Sequence, residues 1–396
     1  MFIVVVLILL ACVAPLSGSH ANGQTATNEL MQSVTFSGPS RTGMLSKRTM
    51  VELSGMAPGI KNSTLLWGVN DSGNEPHIYA FKSTGEVVCT LNVKGAKNID
   101  WEGFATAGAG LTDGALYVGD IGDNGAKRKD ITIYRVAEPV ARQGSVIDVE
   151  AEVFTFTYPD KAHDAEALLV DPFSKDIFIV TKRDSVSKVY RAAAPFKNGE
   201  KRKLEFVCDL TMQLITAGDI SVRGTEILLK NYVFVYHWSR GYGETVAQAL
   251  ARPPRFLPYM PEPQGEAICW TIRGEGYFTA SETVDTAYQT EILFYRRVQD
   301  EAAAVIAKDT TRPALAVNPS RDTDGIYDVR YVLPSISNVS LSLYNEGMMR
   351  LRVIEKGAVE SGAIEREIDM IDGPKGIYVV ILRADGRYNA VPFVVK

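Results

Sequence analysis

The sequence predicts an all-β protein: a five-bladed β-propeller followed by an immunoglobulin-like β-sandwich. Three observations lead to this fold. A short motif with an acid beside an apolar run recurs between residues 53 and 269, each copy is followed by two further apolar runs of strand length, and the chain after residue 313 consists of short alternating segments. Such a period is typical of four-stranded blades repeated around an axis.

The repeated unit begins with an apolar run that carries a polar residue near its start. The five runs are Leu53–Ala57, Trp101–Ala105, Ala165–Leu169, Ala217–Ser221 and Gly265–Cys269. The acids Glu102, Glu166, Asp219 and Glu266 mark the last four, with separations of 64, 53 and 47 residues, and Ser54 takes the acid's place in the first. We interpret each run as the innermost strand of a blade.

The second and third runs of each unit complete the pattern. The second runs are residues 65–69, 115–118, 176–180, 226–229 and 276–279; the third runs, each with a tyrosine, are residues 77–81, 131–135, 188–191, 234–237 and 292–295. Fourth strands are predicted at residues 86–92, 152–157 and 203–210. Short turns rich in Gly, Asp and Pro separate the runs, and one short helix is predicted at residues 244–251.

The fifth unit lacks a fourth strand of its own, whereas residues 31–36 form an unassigned strand before the first unit. Donating that strand to the last blade would remove an exposed sheet edge. We therefore predict a propeller over residues 31–297 with five blades. Six blades are the alternative if residues 37–50 and 241–258 contain additional strands.

Strand polarity places the polar residues of all units at one mouth of the ring. Since neighbouring strands of a blade are antiparallel, the start of the first strand lies beside the end of the second. The residues gathered there are predicted to include Asp71, Asp100, Glu102, Asp120, His163, Asp164, Glu166, Lys182, Arg183, Asp219, Tyr232, Glu266 and Glu282.

So many carboxylates in one place repel one another unless a cation, a shared proton or nearby Lys and Arg compensates. Oxygen ligands with few histidines favour Ca²⁺ or Mg²⁺ over zinc or copper. We assign Glu102, Glu166, Asp219, Glu266 and Asp120 as the metal ligands and Ca²⁺ as the cofactor. A separate set is assigned to the ligand-binding mouth: Asp71, Asp164, Arg183, Tyr232 and Glu282. The alternative is that the repeated acids accept hydrogen bonds from backbone N–H groups of neighbouring blades.

The first functional hypothesis is binding of a divalent cation and of a small or polymeric ligand at this mouth. The second is a calcium-dependent hydrolase of phosphoester, lactone or glycosidic bonds, with His163, Glu166 and Lys182 as candidate catalytic residues. A third is a structural surface protein that contacts partners. The sequence lacks the motifs of serine hydrolases, P-loop NTPases and dinucleotide enzymes.

The net charge indicates which partners are unfavourable, and the N-terminal segment indicates where the protein is located. A formal net charge of -5 disfavours nucleic acid as a partner. The apolar segment from Phe2 to Val13 reads as a signal peptide over residues 1–21 with cleavage after Ala21; in the alternative reading Cys12 is lipidated and anchors the chain. No further stretch is apolar enough to span a membrane. We expect a secreted or cell-surface monomer. Cleavage after Ala21 removes Cys12 and leaves three of the four cysteines, which are widely spaced and predicted to be unpaired.

Residues 49–297 resemble a family of secreted bacterial propellers of undefined function, which are loosely grouped with phytase-like, calcium-dependent propellers. The resemblance rests on the segments 70–73 (NDSG), 100–103 (DWEG), 119–124 (GDIGDN), 158–160 (YPD), 164–166 (DAE) and 264–266 (QGE). It implies a propeller and no established reaction.

Residues 314–396 resemble the C-terminal sorting domain of type IX secretion substrates. The motifs that carry this resemblance are residues 317–320 (VNPS), 343–347 (LYNEG), 376–378 (GIY) and 393–396 (FVVK). The resemblance implies contact between this domain and a secretion machinery; an ordinary accessory sandwich is the alternative. The polar, alanine-rich residues 298–313 are predicted to be a linker.

Overall fold

A computed structural model describes residues 35–108, 113–283, 290–298, 313–320 and 323–395. These residues form 30 strands and one short helix, so the predicted all-β class is confirmed. The predicted signal peptide, its cleavage site, the alternative lipidation at Cys12 and most of the predicted linker lie outside the described residues. In the part of the chain that is described, no helix has the length and apolar character needed to cross a bilayer.

The described residues between 35 and 298 form 23 strands. The first twelve are β1 (Thr35–Phe36), β2 (Ser40–Met44), β3 (Leu53–Pro58), β4 (Leu66–Asn70), β5 (His77–Phe81), β6 (Val87–Lys94), β7 (Trp101–Gly108), β8 (Gly114–Asp120), β9 (Ile131–Ala137), β10 (Ser145–Glu150), β11 (Glu152–Thr157) and β12 (Ala165–Val170). The next eleven are β13 (Ile177–Thr181), β14 (Lys188–Ala192), β15 (Glu200–Lys203), β16 (Glu205–Asp209), β17 (Ala217–Ile220), β18 (Glu226–Lys230), β19 (Val235–Ser239), β20 (Arg255–Leu257), β21 (Gly265–Trp270), β22 (Gly276–Ser281) and β23 (Glu291–Val298).

These strands form five sheets, which we number by their first strands. Sheet 1 has the order β3-β4-β5-β6-β10, sheet 2 β7-β8-β9-β11-β15, sheet 3 β12-β13-β14-β16, sheet 4 β17-β18-β19-β20, and sheet 5 β21-β22-β23-β1 with β2 also on β23. Pairing is antiparallel except where β10 joins β6 and β15 joins β11. In each sheet the predicted first, second and third runs are adjacent strands.

The first strands of the five sheets contact one another in a closed circuit. β3 contacts β7, β7 contacts β12, β12 contacts β17, β17 contacts β21, and β21 contacts β3. Small residues permit this approach: a Cβ atom on Gly103 would lie 2.5 Å from Cβ of Leu168, and one on Gly55 would lie 2.8 Å from Cβ of Phe104. A larger side chain at either glycine would push neighbouring sheets apart.

The N-terminal part of the described chain completes sheet 5. Thr35 and Phe36 pair antiparallel with Arg297 and Val298 at the end of β23, and β2 pairs with the preceding part of that strand. The predicted N-terminal strand therefore joins the last unit, although residues 31–34 of its predicted range lie outside the described residues. Arg297 stacks 5.0 Å above the ring of Phe36 and donates to Glu226 of sheet 4.

The two regions that motivated a sixth blade each contain one strand that joins an existing sheet. β2 joins sheet 5, and β20 becomes the fourth strand of sheet 4, which the sequence analysis had left without one. The predicted helix at residues 244–251 forms over Val246–Leu250 as α1. Thr245 caps it: its hydroxyl accepts from Gln248 N–H, while the Gln248 side chain accepts from Thr245 N–H.

Residues 313–395 contribute two further sheets, as the alternating pattern of the tail predicts. Their strands are β24 (Ala314–Pro319), β25 (Ile326–Leu333), β26 (Ser337–Asn345), β27 (Arg350–Val359), β28 (Gly362–Asp369), β29 (Gly376–Ala384) and β30 (Arg387–Val395). The sheet orders are β24-β25-β28 and β27-β26-β29-β30. Residues from both sheets share one buried apolar cluster, which includes Val329, Leu341 and Val380.

A buried carboxylate links sheet 2 to sheet 1. Glu138, at the end of β9, accepts backbone hydrogen bonds from Ile60, Lys61 and Asn62 and side-chain hydrogen bonds from Asn62 and Trp67, at 2.7 to 3.1 Å. Because both oxygens are used and the residue is 1% exposed, the carboxylate holds the turn after β3 and the indole of β4 in place.

We expect Glu138→Gln to lower the free energy of unfolding by about 1–3 kcal/mol, since the amide nitrogen cannot accept a hydrogen bond and leaves buried donors unpaired. Urea unfolding followed by circular dichroism measures the loss. Glu150→Gln, at an exposed position of β10, is the matched control. Equal stability of the two variants would contradict a linking role for Glu138.

Candidate functional site

The candidate site lies at the mouth, which we define as the end of the five sheets where first strands begin and second strands end. In sheets 1, 2, 3 and 5 the pairing of these two strands shifts register at one residue of the first strand. The skipped residues are Ser54, Glu102, Glu166 and Glu266. A β-bulge of this kind inserts one extra residue and re-aims its side chain.

Three of the skipped residues form a group that we call the glutamate trio: Glu102, Glu166 and Glu266. Each offers one carboxylate oxygen, and these oxygens all lie within 4.8 Å of one another. All three side chains are buried, with residue exposures of 3 to 5%. The fourth skipped residue, Ser54, donates to Trp101 O at 2.6 Å and so joins sheet 1 to sheet 2.

Lys182, which directly follows β13, supplies the positive charge beside the trio. Its Nζ donates to Glu166 Oε1 and lies 3.3 Å from Glu266 Oε1. The ammonium also lies 5.2 Å from the centroid of the Tyr232 ring, and the hydroxyl of Tyr232 donates to Glu266 Oε1 at 2.6 Å. Burial alone would lower the pKa of Lys182, but the charges of Glu166 and Glu266 outweigh burial and raise it.

One lysine does not balance three carboxylates. Burial raises the pKa of Glu102 and of Glu166 well above the ordinary value for Glu, and the charges of neighbouring carboxylates raise both further. In addition, Glu102 Oε2 and Glu166 Oε2 are buried without a hydrogen-bond partner. An unpartnered buried carboxylate oxygen is costly, so a proton, a bound water molecule or a cation is needed beside each of these two atoms.

Glu282 and Asp71 extend the acidic region away from the trio. Burial raises the pKa of Glu282 to about 10, with further contributions from the charges of Glu266 and Asp71. Burial also raises the pKa of Asp71 to about 7, against the hydrogen bond that its carboxylate accepts from Ser72 N–H, and the charge of Asp100 adds to the rise. The mouth thus contains more carboxyl groups than its own cations could neutralise if all of them were ionised.

Asp219, assigned from the sequence as a metal ligand, does not join the trio. β17 pairs with β18 without a bulge, so Gly218 stands where the other first strands have Gly55, Gly103, Ala167 and Ala267, and Asp219 follows one position further along the strand. Its Oδ2 accepts from Trp270 N–H of sheet 5 at 2.8 Å, and burial raises its pKa to about 8. This contact matches the alternative interpretation, in which an acid links neighbouring sheets.

Asp120, the fifth assigned ligand, is also held apart from the trio. Its Oδ1 accepts from Asp100 N–H at 3.1 Å and from Arg128 Nη1 at 2.7 Å. Burial raises the pKa of Asp120, and the charge of Arg128 opposes that effect. Asp120 therefore fixes the start of β7, on which Glu102 stands.

Asp164 and Arg183, two of the predicted ligand-binding residues, pair with each other. Arg183 Nε lies 2.7 Å from Asp164 Oδ2, and Asp164 Oδ1 accepts from Asp123 N–H at 2.8 Å. Arg183 Nε also donates to Asn124 Oδ1 at 3.0 Å. The guanidinium of Arg183 is half-exposed and places a positive charge at the solvent-facing side of the mouth.

His163, the candidate general base, belongs to a different cluster. Its Nδ1 lies 2.8 Å from Asp184 Oδ2 and its Nε2 lies 3.1 Å from Asp160, while the Tyr190 hydroxyl lies 2.8 Å from Nε2. The side chain is 1% exposed. Both ring nitrogens are therefore engaged by carboxylates and a phenol within sheet 3 and its loops.

Sequence reasoning missed a second buried lysine beside the trio. Lys230 ends β18, where it pairs with Ala217, and its Nζ donates to Gly265 O. Burial lowers the pKa of Lys230 to about 8, and its Nζ lies 4.9 Å from the ring centroid of Tyr259. The repeat could have identified Lys230, because Asp120 and Thr181 occupy the corresponding ends of second strands in sheets 2 and 3.

No family model matches this chain, and no curated protein matches it. Among solved structures, a fungal alcohol oxidase of the AA5 family in complex with copper aligns at 9% identity over 86% of this chain and 85% of its own, with a TM-score of 0.32. Hydrazine synthase from Kuenenia stuttgartiensis aligns at 10% identity over 63% of this chain and 96% of its own, with a TM-score of 0.34. Similarities this low carry no argument about activity.

We expect Asp219→Asn to flatten the pH dependence of stability. The folded-state pKa of Asp219, about 8, lies above the ordinary Asp value, so the folded protein binds more protons and loses stability as pH rises towards 8. The amide keeps an oxygen for Trp270 N–H but does not titrate. Urea unfolding at pH 5, 6, 7 and 8 gives the free energy of unfolding at each pH. We expect its decrease with pH to be smaller in the variant than in the wild type, by up to about 1.4 kcal/mol per pH unit. An unchanged slope, as expected for the exposed control Asp209→Asn, would contradict this assignment.

Lys182→Met is expected to lower the free energy of unfolding at pH 8 by about 3–5 kcal/mol, because it leaves Glu166 and Glu266 without their buried counter-charge. The loss should be smaller at pH 5, where the carboxyl groups take up protons more readily. Thermal unfolding at both pH values measures it. Lys201→Met, at an exposed position of β15, is the control, and an equal loss at pH 5 and pH 8 would rule out the electrostatic cause.

Proposed function

We propose that residues 35–298 form a five-bladed β-propeller that binds a divalent cation through the glutamate trio at its mouth. The support for the blade count is the set of five sheets and the closed circuit of first strands. The observation that carries the function is the convergence of three buried carboxylates, two of which have an unpartnered oxygen.

The donor set fits a hard cation. Two oxygens bound to one Ca²⁺ lie at most about 5 Å apart, and the trio oxygens lie within 4.8 Å of one another. All donors are oxygens, with the phenol of Tyr232 and the carboxyl of Glu282 beside them, which favours Ca²⁺, Mg²⁺ or Mn²⁺ over zinc and copper. Glu102, Glu166 and Glu266 would hold the ion, and Lys182 would balance the remaining charge. A second molecule, small or polymeric, would be recognised at the exposed part of the mouth, where Asp71 and Arg183 reach solvent.

The hydrolase alternative receives less support. Of its three candidate catalytic residues, His163 is enclosed by Asp160 and Asp184, and Lys182 is held by Glu166 and Glu266. Glu166 is itself a member of the proposed cation site. We therefore favour binding over hydrolysis.

For residues 313–395 we propose an immunoglobulin-like sandwich that serves as a sorting domain, and for the whole protein a secreted or cell-surface location. The two sheets with a shared apolar cluster support the sandwich. The sequence motifs of the tail and the apolar N-terminal segment support export.

We expect Ca²⁺ to raise the melting temperature of the full chain and to bind with measurable heat in isothermal titration calorimetry after chelator treatment. Glu166→Gln should weaken binding at least tenfold, because it removes one charged ligand. Asp219→Asn is the matched control, since Asp219 is equally buried in a first strand but stands outside the trio.

The absence of heat and of a melting shift with Ca²⁺, Mg²⁺ and Mn²⁺ would overturn the cation site, as would equal affinity in Glu166→Gln and wild type. The same samples are incubated with phosphoester, lactone and glycan substrates. Turnover that disappears in Glu166→Gln would replace the binding function with the hydrolase alternative.

A further inference from the structure

A second acidic group shares one residue with the glutamate trio. Asp71, Asp100 and Glu102 each offer an oxygen within 4.8 Å of the others, and Glu102 also belongs to the trio. Asp71 follows β4 of sheet 1, whereas Asp100 and Glu102 flank Trp101 at the start of β7 in sheet 2. The second group therefore spans two neighbouring sheets, and it lies on the side of the glutamate trio that is nearer to solvent.

Packing against a glycine fixes the side chains of Asp100 and Glu102 beside each other. A Cβ atom on Gly122 would lie 2.5 Å from Cγ of Asp100 and 2.8 Å from Cγ of Glu102. The backbone of Gly122 thus forms a wall behind both carboxylates, and its N–H donates to Asp100 O at 3.1 Å. The two acids are held by the fold and do not depend on a ligand for their proximity.

Two features of this group call for a positive charge. Asp71 and Asp100 each offer a carboxylate oxygen within 4.8 Å of the other, and two ionised carboxylates this close repel each other strongly unless a proton or a cation lies beside them. Glu102 Oε2, in a residue that is 5% exposed, has no hydrogen-bond partner. A carboxylate with two oxygens can serve two ions at once, one through each oxygen.

We propose that the mouth holds two divalent cations and that Glu102 bridges them. The first ion is the one proposed above, at Glu102, Glu166 and Glu266, and this inference rests on that proposal. The second ion is held by Asp71, Asp100 and Glu102. Together these five acids carry five negative charges when ionised, Lys182 carries one positive charge, and the remaining four match two divalent ions.

The position of the second ion suits contact with a ligand. Asp71 and Asp100 are partly exposed, whereas every member of the trio is buried. The second ion would therefore keep coordination positions open towards solvent, and these positions would attract an anionic group of a bound molecule, such as a carboxylate or a phosphate. The first ion would be enclosed by protein.

The test uses Mn²⁺ as the probe, because it shares the preference for oxygen ligands and is visible by electron paramagnetic resonance. After chelator treatment, the full wild-type chain should bind two Mn²⁺ ions in equilibrium dialysis, with the spectrum of a spin-coupled pair. Asp100→Asn and Asp71→Asn should each reduce the number to one and convert the spectrum to that of an isolated ion. Glu102→Gln should weaken both sites at least tenfold.

The matched control is Asp148→Asn, an exposed acid of β10, which should keep two ions. Circular dichroism confirms that each variant is folded, and the Asp71 variant provides a second route if the Asp100 variant is not. One ion in the wild type, unaffected by Asp71→Asn and Asp100→Asn, would overturn this inference and leave the proposed function intact. No ion in the wild type would overturn both. Loss of a single ion in Glu102→Gln would disprove the bridge.

Discussion

The contact of Lys182 with two buried glutamates is the interaction on which the mouth depends. Three carboxylates lie within 4.8 Å of one another in a region from which water is largely excluded, and one ammonium contacts two of them. Isolated buried charge is strongly unfavourable, so Lys182, Glu166 and Glu266 are stable in their charged forms only through their mutual contact, and Glu102 lacks such a partner. Hydrogen bonds between sheets add to the stability of the fold, such as those of Glu138 with sheet 1 and of Ser54 with sheet 2.

Local backbone geometry decides which acids reach this cluster. A bulge in the first strand turns Glu102, Glu166 and Glu266 into the mouth, and a small residue immediately afterwards lets the neighbouring first strand approach. Sheet 4 pairs without a bulge, and its acid is directed to a backbone N–H of sheet 5 instead. One inserted residue therefore separates an acid that reaches the trio from an acid that links two sheets, although Asp and Glu are chemically alike.

The sequence predicts the architecture well because periodicity carries that information. The first, second and third runs of all five units are strands at the expected places, and the N-terminal strand joins β23. The site is predicted in part: the acids of sheets 2, 3 and 5 meet, with Lys182 among them. Asp219 stands outside the trio because its strand has no bulge, and a bulge leaves no mark in the alternation of apolar residues. The ring of His163 is engaged by Asp160, three residues before it, and by Asp184 in the loop after β13. β20 was missed because three residues are too few to show a period.

The pairing of β2 with β23 has a consequence for how the chain acquires its structure. Arg41 and Glu291, which form an ion pair in this sheet, are separated by 250 residues. Sheets 1 to 4 take all their strands from residues 53–257, although β10 and β15 join sheets 1 and 2 only after the next sheet has begun. Sheet 5 must wait until the chain beyond residue 290 is available. Until then the first strands of sheets 1 and 4 lack their contact with β21, and the circuit of first strands stays open. If the chain emerges from its N-terminus, during synthesis or through a narrow pore, the circuit therefore closes only when residues 291–298 reach residues 35–44.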